Sequence, residues 1–325
     1  MPPVLIFSGF EGIVCRTSIA KAGTDMTSKG YLYVLTAAVL WGITGPLAKY
    51  AFSLGIEPLE VAFWRCVIPF FPFAFQALRS RRLAIARSDR PAVLAFGLVC
   101  VAAFYGVYQL AIRAGGAAMA SVLMYTAPAW VAIMAWLLLG ERMTPAKIAA
   151  VVATLAGVAG VSGVLSGNAA VSVSPTAIVL GLISGVTYAM YFIFGKRLLP
   201  RYTTPQLFLY GLPIGALALF PLVEFHHKTP GAWAAIVAVC ILSTYLAYTF
   251  YYAGLQHLEA TRASVVATLE PVVASAMAFM WWDESFSLMG YMGSGLILGA
   301  VVLMIIDGRR QTPEPEPEPN PAPTA

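Results

Sequence analysis

The stretch YQLAIRAGGAAMASVLMYTAP (residues 108–128) has a counterpart later in the chain, YYAGLQHLEATRASVVATLEP (residues 251–271). The two align without a gap at an offset of 143 positions, from 108 to 251. The alignment pairs Tyr108 with Tyr251, Ser121 with Ser264 and Pro128 with Pro271. Self-similarity in the same order along a long stretch indicates an internal repeat. The chain is therefore predicted to be duplicated.

The composition places this duplicated chain in a membrane. Of its 325 residues, 59% are hydrophobic and only 11% are charged, and the mean hydropathy is +0.78. A soluble domain carries roughly a quarter charged residues. Apolar runs of about twenty residues recur, and that length crosses a hydrocarbon core of about 30 Å. The prediction is an all-α integral membrane protein. Its ten predicted transmembrane helices are Tyr31–Phe52, Leu59–Leu78, Ala92–Ile112, Ala117–Leu139, Lys147–Leu165, Thr176–Leu198, Gln206–Val223, Ala232–Leu255, Ala263–Trp282 and Leu288–Ile306.

The ten helices divide into two five-helix repeats, residues 31–165 and 176–307. A second offset, 147 positions, relates the first two helices of each repeat and pairs Trp41 with Tyr188. Because each repeat has an odd number of helices, the second must enter the membrane upside down relative to the first. Inverted repeats are a recurring plan of secondary transporters, whose substrate site lies near the midplane between the repeats.

Positive charge predicts the orientation of the chain in the membrane. One side collects sixteen Lys and Arg residues, and the other side has only Arg113 and Lys228. The positive-inside rule therefore predicts that both termini are cytoplasmic. The basic loops also account for the net charge of +5, so no nucleic-acid partner is expected.

The two ends of the chain are not expected to belong to the fold. Residues 311–325 form a Pro/Glu-rich tail that cannot bury apolar surface and should be disordered. Residues 1–28 are expected to be disordered or a mis-annotated start, because Met26 directly precedes the first apolar run.

Short motifs recur at corresponding places in the two repeats. TAP (126–128) is followed by LLLGER (137–142), and LEPV (269–272) is followed by DE (283–284). Together with the five-plus-five inverted helices, these motifs resemble the EamA-type permeases of the drug/metabolite transporter superfamily, over about Tyr31 to Asp307. The resemblance implies efflux or exchange of amino acids, other small metabolites or drugs across the cell (inner) membrane.

Glu270 is the main candidate for site chemistry, because it lies within the ninth helix, directly before Pro271. An ionised carboxylate at that depth costs on the order of 3 kcal/mol. Pro271 removes one helix hydrogen bond, and Pro128 does the same in the first repeat. Broken helices at membrane depth are tolerated where they line a cavity. Glu270 is interpreted either as a group that binds a cationic group of the substrate or exchanges a proton, or as a protonated or hydrogen-bonded packing residue. Its match in the first repeat is Ala127.

Arg65, in the second helix, is the second charge within the apolar runs. It could pair with an anionic substrate or with a carboxylate. It could equally extend outward to the membrane surface, as long basic side chains do. A direct pair with Glu270 is not expected, because the two residues enter from opposite faces.

Aromatic side chains form the third candidate group. Trp41, Tyr105, Tyr188 and Tyr248 lie at repeat-related interior positions. Buried tyrosine hydroxyls need hydrogen-bond partners, and aromatic rings can face cations. These four residues are predicted to line the cavity, with Gln109 as a hydrogen-bonding companion. Anchoring at the membrane interface is the alternative.

The motifs of nucleotide-driven or catalytic proteins do not occur. The sequence contains no Walker sequence, nucleophile elbow or dinucleotide fingerprint. No cofactor is expected, and the three histidines lie in loops, so no metal site is expected either.

The sequence as a whole predicts a secondary transporter that exports or exchanges a small organic metabolite by alternating access. Its expected partners are the small-molecule substrate and the lipid bilayer. Glycines in the fifth helix (Gly157, Gly160) and the tenth (Gly295, Gly299) leave open a homodimer or close packing within one chain. Two alternative functions are an intramembrane lipid-modifying enzyme and a non-transporting membrane scaffold.

Overall fold

The computed structural model describes residues 27–162, 175–282 and 287–310. Within these ranges the chain has no strand and forms ten helices, as the sequence predicts. Nine of the described helices are long and apolar enough to cross a membrane, and α5 is a shorter apolar helix. They are α1 Thr27–Ser53, α2 Pro58–Arg79, α3 Arg87–Gly115, α4 Met119–Leu139, α5 Pro145–Val161, α6 Pro175–Leu198, α7 Thr204–Leu222, α8 Pro230–Leu255, α9 Ala260–Trp281 and α10 Leu288–Gly308. The expectations for the N-terminal segment up to residue 26 and for the tail at 311–325 lie outside the described residues.

Threonine–proline sequences begin several of the helices. Thr144 and Thr229 accept hydrogen bonds at 3.2 Å from the backbone N–H groups of Lys147 and Ala232, and a proline follows each threonine. The threonine hydroxyl satisfies a backbone N–H that has no partner within the helix, and proline fits the first helical position. The chain therefore defines its helix starts locally.

The third helices of the two repeats share a local irregularity. α3 contains a π-helical segment at Phe96–Ala103, and α8 contains one at Cys240–Leu246. Adding the sequence offset of 143 to residues 96–103 gives 239–246, so the two segments correspond to within one residue. Tyr105 and Tyr248 each follow two residues after their segment. The duplication seen in the sequence therefore extends to backbone geometry.

The fourth helices of the two repeats are both interrupted before a proline. In α4, one helical segment ends at Met124 and the next begins at Ala127, directly before Pro128. In α9, the first half ends at Ala267 and the second begins at Glu270. Adding 143 to residue 127 gives 270, so the two breaks are repeat-related. Each proline is the second residue of its segment, where the missing N–H would have had no partner within the helix.

The chain reverses direction between α3 and α4 without a non-helical residue. Helical backbone continues from Phe104 to Met124, yet the hydroxyls of Tyr108 and Ser121 lie 3.1 Å apart. Thirteen residues of straight helix would separate them by about 20 Å. α3 and α4 are therefore antiparallel neighbours.

Glycines allow α5 and α10 to pack closely within one chain. A Cβ atom at Gly157 would lie 2.7 Å from the carbonyl oxygen of Gly293, and one at Gly160 would lie 3.0 Å from Gly293 Cα. Gly295 and Gly299 face open space. The glycines of α5 thus serve contacts within the monomer, and a homodimer stays a prediction, for which the open face of α10 remains available.

The first helix of each repeat packs against the helix break of the other repeat. A Cβ atom at Gly42 of α1 would lie 2.6 Å from Val273 Cβ and 3.0 Å from the carbonyl oxygen of Glu270. One at Gly185 of α6 would lie 2.8 Å from the carbonyl oxygen of Leu123. This crossed packing holds both breaks near the middle of the molecule, where the cavity lies.

Candidate functional site

A cavity of about 430 Å³ lies between the two repeats. Its walls include Lys49 and Phe52, near the end of α1, and Ile112, near the end of α3, so it extends toward one face of the molecule. We name this face the Glu57 face and the opposite one the Glu259 face, after residues in their loops. The walls contain all seven side chains that the sequence suggests for substrate binding or coupling: Trp41, Arg65, Tyr105, Gln109, Tyr188, Tyr248 and Glu270.

Glu270 is the first residue of the second half of α9, and its side chain reaches the cavity. The side chain of Tyr125, at the break of α4, lies beside this carboxylate. Among the described residues, no Lys, Arg or His side chain forms a salt bridge with Glu270. The two prolines, Pro128 and Pro271, are not part of the cavity wall. They shape the breaks, and the breaks bring Tyr125 and Glu270 together.

Arg65 faces the same cavity as Glu270, although α2 begins at the Glu57 face and α9 begins at the Glu259 face. Its Nε donates a hydrogen bond to Thr244 Oγ1 at 3.1 Å. Its guanidinium carbon lies 4.6 Å from the centre of the Tyr105 ring. A cation over an aromatic face is stabilised by the ring quadrupole. Both contacts hold Arg65 at the cavity wall instead of letting it extend to the membrane surface.

Aromatic rings form much of the wall between the two charges. Trp41 and its repeat mate Tyr188 have ring centroids 6.4 Å apart, and Trp41 lies 5.3 Å from Tyr248. Phe104 stacks on Tyr188 at 5.0 Å. A residue can approach its own repeat mate only near the axis that relates the two repeats. The aromatic wall therefore surrounds that axis, at the depth expected for a substrate site.

Several buried polar atoms of this region lack a hydrogen-bond partner among the described residues. They include the hydroxyl of Tyr105, Oε1 of Gln109 and Oγ of Ser243, and all three residues line the cavity. An unsatisfied buried polar group costs roughly 1–3 kcal/mol. Such atoms in a cavity wall are suited to contact a ligand or water.

Three residues of this site were missed by the sequence interpretation, namely Tyr125, Ser243 and Thr244. Tyr125 directly precedes the TAP motif, so its position at a helix break was the available signal. Ser243 and Thr244 lie in the π-helical segment of α8. A π-helical segment is frequent at functional sites, but it has no sequence signature that would have revealed it here.

The Glu259 face is closed by contacts between the repeats. Glu141, in the loop after α4, accepts hydrogen bonds from the backbone N–H groups of Ala260 at 2.5 Å and Thr261 at 3.2 Å. It also accepts one from Thr261 Oγ1 at 2.8 Å. A carboxylate at a helix N-terminus satisfies N–H groups and complements the helix dipole. Glu141 thus connects the first repeat to the start of α9.

A buried ion-pair network adds to this closure. Lys147 Nζ, fully buried in α5, lies 2.9 Å from Glu259 Oε1. Arg262 binds Glu259 at 2.5 Å and Asp307 at 2.9 Å. Burial alone would raise the pKa of the Glu259 carboxyl, but Arg262 and Lys147 hold that pKa below its usual range. The network joins α5 of the first repeat to α9 and α10 of the second.

The Glu57 face has ion pairs of its own, away from the cavity wall. Arg113 pairs with Glu57, and Lys228 pairs with the buried Glu60. The Lys228 ammonium also lies 5.3 Å from the ring centre of Trp233. These contacts hold the end of α3 and the loop before α8 against the start of α2. The cavity nevertheless reaches this face, since Lys49 and Ile112 form part of its wall.

No group of three or more His, Cys, Asp or Glu side chains in the described ranges could hold a metal ion. The cavity wall presents the Glu270 carboxylate, the Arg65 guanidinium, the Lys49 ammonium, the Gln109 amide, hydroxyls and aromatic faces.

Comparisons with known proteins agree with this architecture. Two stretches of the chain, residues 28–163 and 175–306, match the EamA-like transporter family. An uncharacterized inner membrane transporter of Salmonella typhimurium, YicL, is 28% identical over 301 residues, which cover 88% of this chain and 98% of that protein. A solved crystal structure shares the fold with a TM-score of 0.75 at 20% identity, covering 87% of this chain and 98% of that chain.

Two other relatives are named as exporters. The pseudopaline exporter CntI of Pseudomonas aeruginosa is 24% identical, over 86% of this chain and 97% of its own length. A probable terminal-alkyne amino-acid exporter of Streptantibioticus cattleyicolor is 26% identical, over 85% of this chain and 93% of its own length.

Proposed function

The chain belongs to the EamA-like transporter family, and from that premise we propose that it exports a small organic solute bearing an amino group, with Glu270 as the group that binds the amine. One observation carries this proposal. Glu270 presents a carboxylate without a salt-bridge partner, among the described residues, to a cavity of about 430 Å³ between the repeats. An ammonium group would supply the missing opposite charge.

The surrounding rings support an amine as the bound group. Trp41, Tyr188 and Tyr248 line the cavity with Glu270. Aromatic faces attract ammonium groups, by roughly 2 kcal/mol where water is excluded. The name of one relative points in the same direction, since that protein is a probable terminal-alkyne amino-acid exporter.

The proposed orientation determines to which side of the membrane the cavity opens. Most Lys and Arg residues of the loops lie on the Glu259 face, which the positive-inside rule assigns to the cytoplasm together with both termini. The cavity reaches the Glu57 face, while Glu141, Lys147 and Arg262 close the Glu259 face. On this assignment the structure is the outward-facing state. Transport then requires the contacts of the Glu259 face to open while the cavity mouth closes.

Export needs a driving force, and Glu270 suits two of them. It can release the amine in exchange for a proton, or for a second solute. In either case, the bound proton or second solute compensates the charge of Glu270 while the carrier returns.

The two alternative functions make different predictions. A family of transporters does not favour the lipid-modifying enzyme. A membrane scaffold that does not transport predicts that Glu270→Gln leaves all solute fluxes unchanged.

The test is a thermal-stability screen of the purified protein against amino acids, polyamines, nucleosides, organic acids and drugs. A ligand at about 100 times its Kd stabilises the folded state by roughly 2.7 kcal/mol. We expect amine-bearing solutes to stabilise the protein and Glu270→Gln to lose that effect. Glu224→Gln, which removes an exposed carboxylate outside the cavity, is the matched control.

The same variants are then compared for solute flux in reconstituted vesicles. Loss of one charge-assisted interaction of roughly 1.5–3 kcal/mol weakens binding by about tenfold to a hundredfold. Flux that is equal in the Glu270→Gln and Glu224→Gln proteins would contradict the proposed role of Glu270.

A further inference from the structure

Arg65 has hydrogen-bonding capacity that the protein itself does not use. A guanidinium group carries five N–H donors, and in Arg65 one of them, Nε–H, binds Thr244. Among the described residues, no carboxylate forms a salt bridge with it. Tyr105 covers one face of the guanidinium. The outer edge of Arg65 is thus oriented by its neighbours and still able to bind an anion.

Two unpartnered hydroxyls line the same cavity as Arg65. The Tyr105 hydroxyl and Ser243 Oγ are buried and make no hydrogen bond of good geometry among the described residues, although the Tyr105 hydroxyl lies close to Thr244 and Tyr191. Ser243 directly precedes Thr244, the residue that holds Arg65. Trp41 Nε1 donates to the carbonyl oxygen of Ser243 at 2.9 Å, which fixes this turn of α8. Arg65, Tyr105 and Ser243, each of which carries hydrogen-bond donors, therefore lie in one part of the wall.

From this arrangement we propose that Arg65, Ser243 and Tyr105 form a carboxylate subsite. A carboxylate only accepts hydrogen bonds, and its two oxygens match the planar fork of a guanidinium. Hydroxyls can donate to the same oxygens. The subsite rests on the proposed function, since it would bind the acid group of the transported solute.

Glu270 determines which way the solute lies. A solute carboxylate is repelled by Glu270 and attracted by Arg65, and a solute ammonium has the opposite preferences. Because both side chains line one cavity, the preferred solute carries both groups, as an amino acid does. The two charges of the solute then compensate the charges of Glu270 and Arg65.

The test uses three probe sets on the full-length protein in detergent. These are the proteinogenic L-amino acids, the amines that correspond to them without the carboxylate, and the same amines with a phosphate group in place of the carboxylate. Dissociation constants come from thermal shift and titration calorimetry. We expect amino acids to bind about tenfold to a hundredfold more tightly than the matching amines, and phosphates to bind more weakly than amino acids.

Variants separate the subsite from the rest of the cavity. Arg65→Lys keeps the charge but loses the planar fork, and it should weaken amino-acid binding about tenfold while leaving amine binding unchanged. Ser243→Ala deletes one unpartnered hydroxyl in the cavity and should act in the same direction with a smaller effect. Thr154→Val deletes another unpartnered buried hydroxyl, outside the cavity, and should change neither affinity.

The outcomes distinguish this inference from the proposed function. Amines that bind as tightly as amino acids, in a manner that needs Glu270 but neither Arg65 nor Ser243, would overturn the subsite and leave the proposed function in place. Preferred binding of the phosphates would overturn the carboxylate assignment in favour of another anion. Failure of every probe to bind would overturn both proposals.

Discussion

α4 and α9 occupy the same place in the two repeats. Each is interrupted before a repeat-related proline, but only α9 carries a carboxylate at its break. Glu270 faces the cavity, whereas its repeat mate Ala127 is 1% exposed and absent from the cavity wall. Two residues before each of these positions, it is α4 and not α9 that contributes a side chain to the cavity. Tyr125 of α4 reaches the cavity, and the α9 residue related to it by the offset, Thr268, is buried.

This difference separates the frame of the site from its chemistry. The duplicated features, namely two breaks and two π-helical segments, create a cavity between the repeats. On the proposed function, the features that differ, a carboxylate at one break and a phenol at the other, supply groups that bind the solute. A symmetric pair of carboxylates would place like charges close together and would favour a protonated state.

The first segment of α9 is anchored at the Glu259 face. In α9, all eight residues of Ala260–Ala267 are buried. Glu141 holds the first N–H groups of this segment, and Arg262 ties it to Glu259 and Asp307. The segment that leads to Glu270 is thus anchored at the Glu259 face, which offers a mechanical connection between that face and the cavity.

The largest expected effect comes from adding a carboxylate at the break of α4. Ala127→Glu buries a charge where no cavity receives it, and we expect a loss of about 3 kcal/mol in the free energy of unfolding. Thermal unfolding of the purified protein measures it. Ala274→Glu places the same side chain on the cavity wall, one turn after Glu270, and should cost clearly less. Equal costs would show that the cavity wall accommodates a carboxylate no better than the buried position at the break of α4.

A second prediction concerns the close packing at the break of α4. A Cβ atom at Gly185 would lie 2.8 Å from a backbone carbonyl oxygen, which cannot rotate away. Gly185→Ala should therefore destabilise the protein by about 2 kcal/mol. Gly295→Ala, in open space on α10, should be neutral or slightly stabilising, because alanine favours helix. A destabilisation by both variants alike would point to a general intolerance of glycine replacement.

A third prediction tests the anchor of α9. Glu141→Gln keeps the size of the side chain but replaces one accepting oxygen with a donor that faces N–H groups. We expect a loss of about 1 kcal/mol in stability. Labelling of a cysteine introduced at the buried Ala260 (Ala260→Cys) should also increase, because the contact between the repeats is weakened. An unchanged protein would mean that Glu141 does not hold this face closed.

The smallest effect is a pH dependence at the same face. The folded-state pKa of Glu259 lies below its usual range, so its contribution to stability is present above the unfolded pKa of about 4.3. That contribution is lost as the pH falls through the lower folded value. Unfolding of the wild-type protein should therefore show a steeper acid limb than unfolding of Glu259→Gln. Parallel acid limbs would show that the ionised Glu259 carboxylate does not contribute to the stability of the folded protein.

The sequence alone was sufficient for the ten helices and the two repeats, because apolar length and order of matches along the chain are one-dimensional properties. The helix limits agree within a few residues, for example Leu288 as the first residue of α10. Glu270 and Arg65 could be identified for a similar reason. A charge in an apolar run is costly wherever the helix packs, so such a residue can be selected from the sequence as a candidate for the site.

Only the tertiary structure decided which side chains share one cavity. The sequence suggested that Arg65 and Glu270, entering from opposite faces, would not pair directly, and no salt bridge joins these two described side chains. It could not show that both face the same space, since that depends on the rotation of α2 and α9 about their axes. Tyr125 and Ser243 escaped notice because a residue at a helix break, or in a π-helical turn, points in a direction that regular helical spacing does not predict.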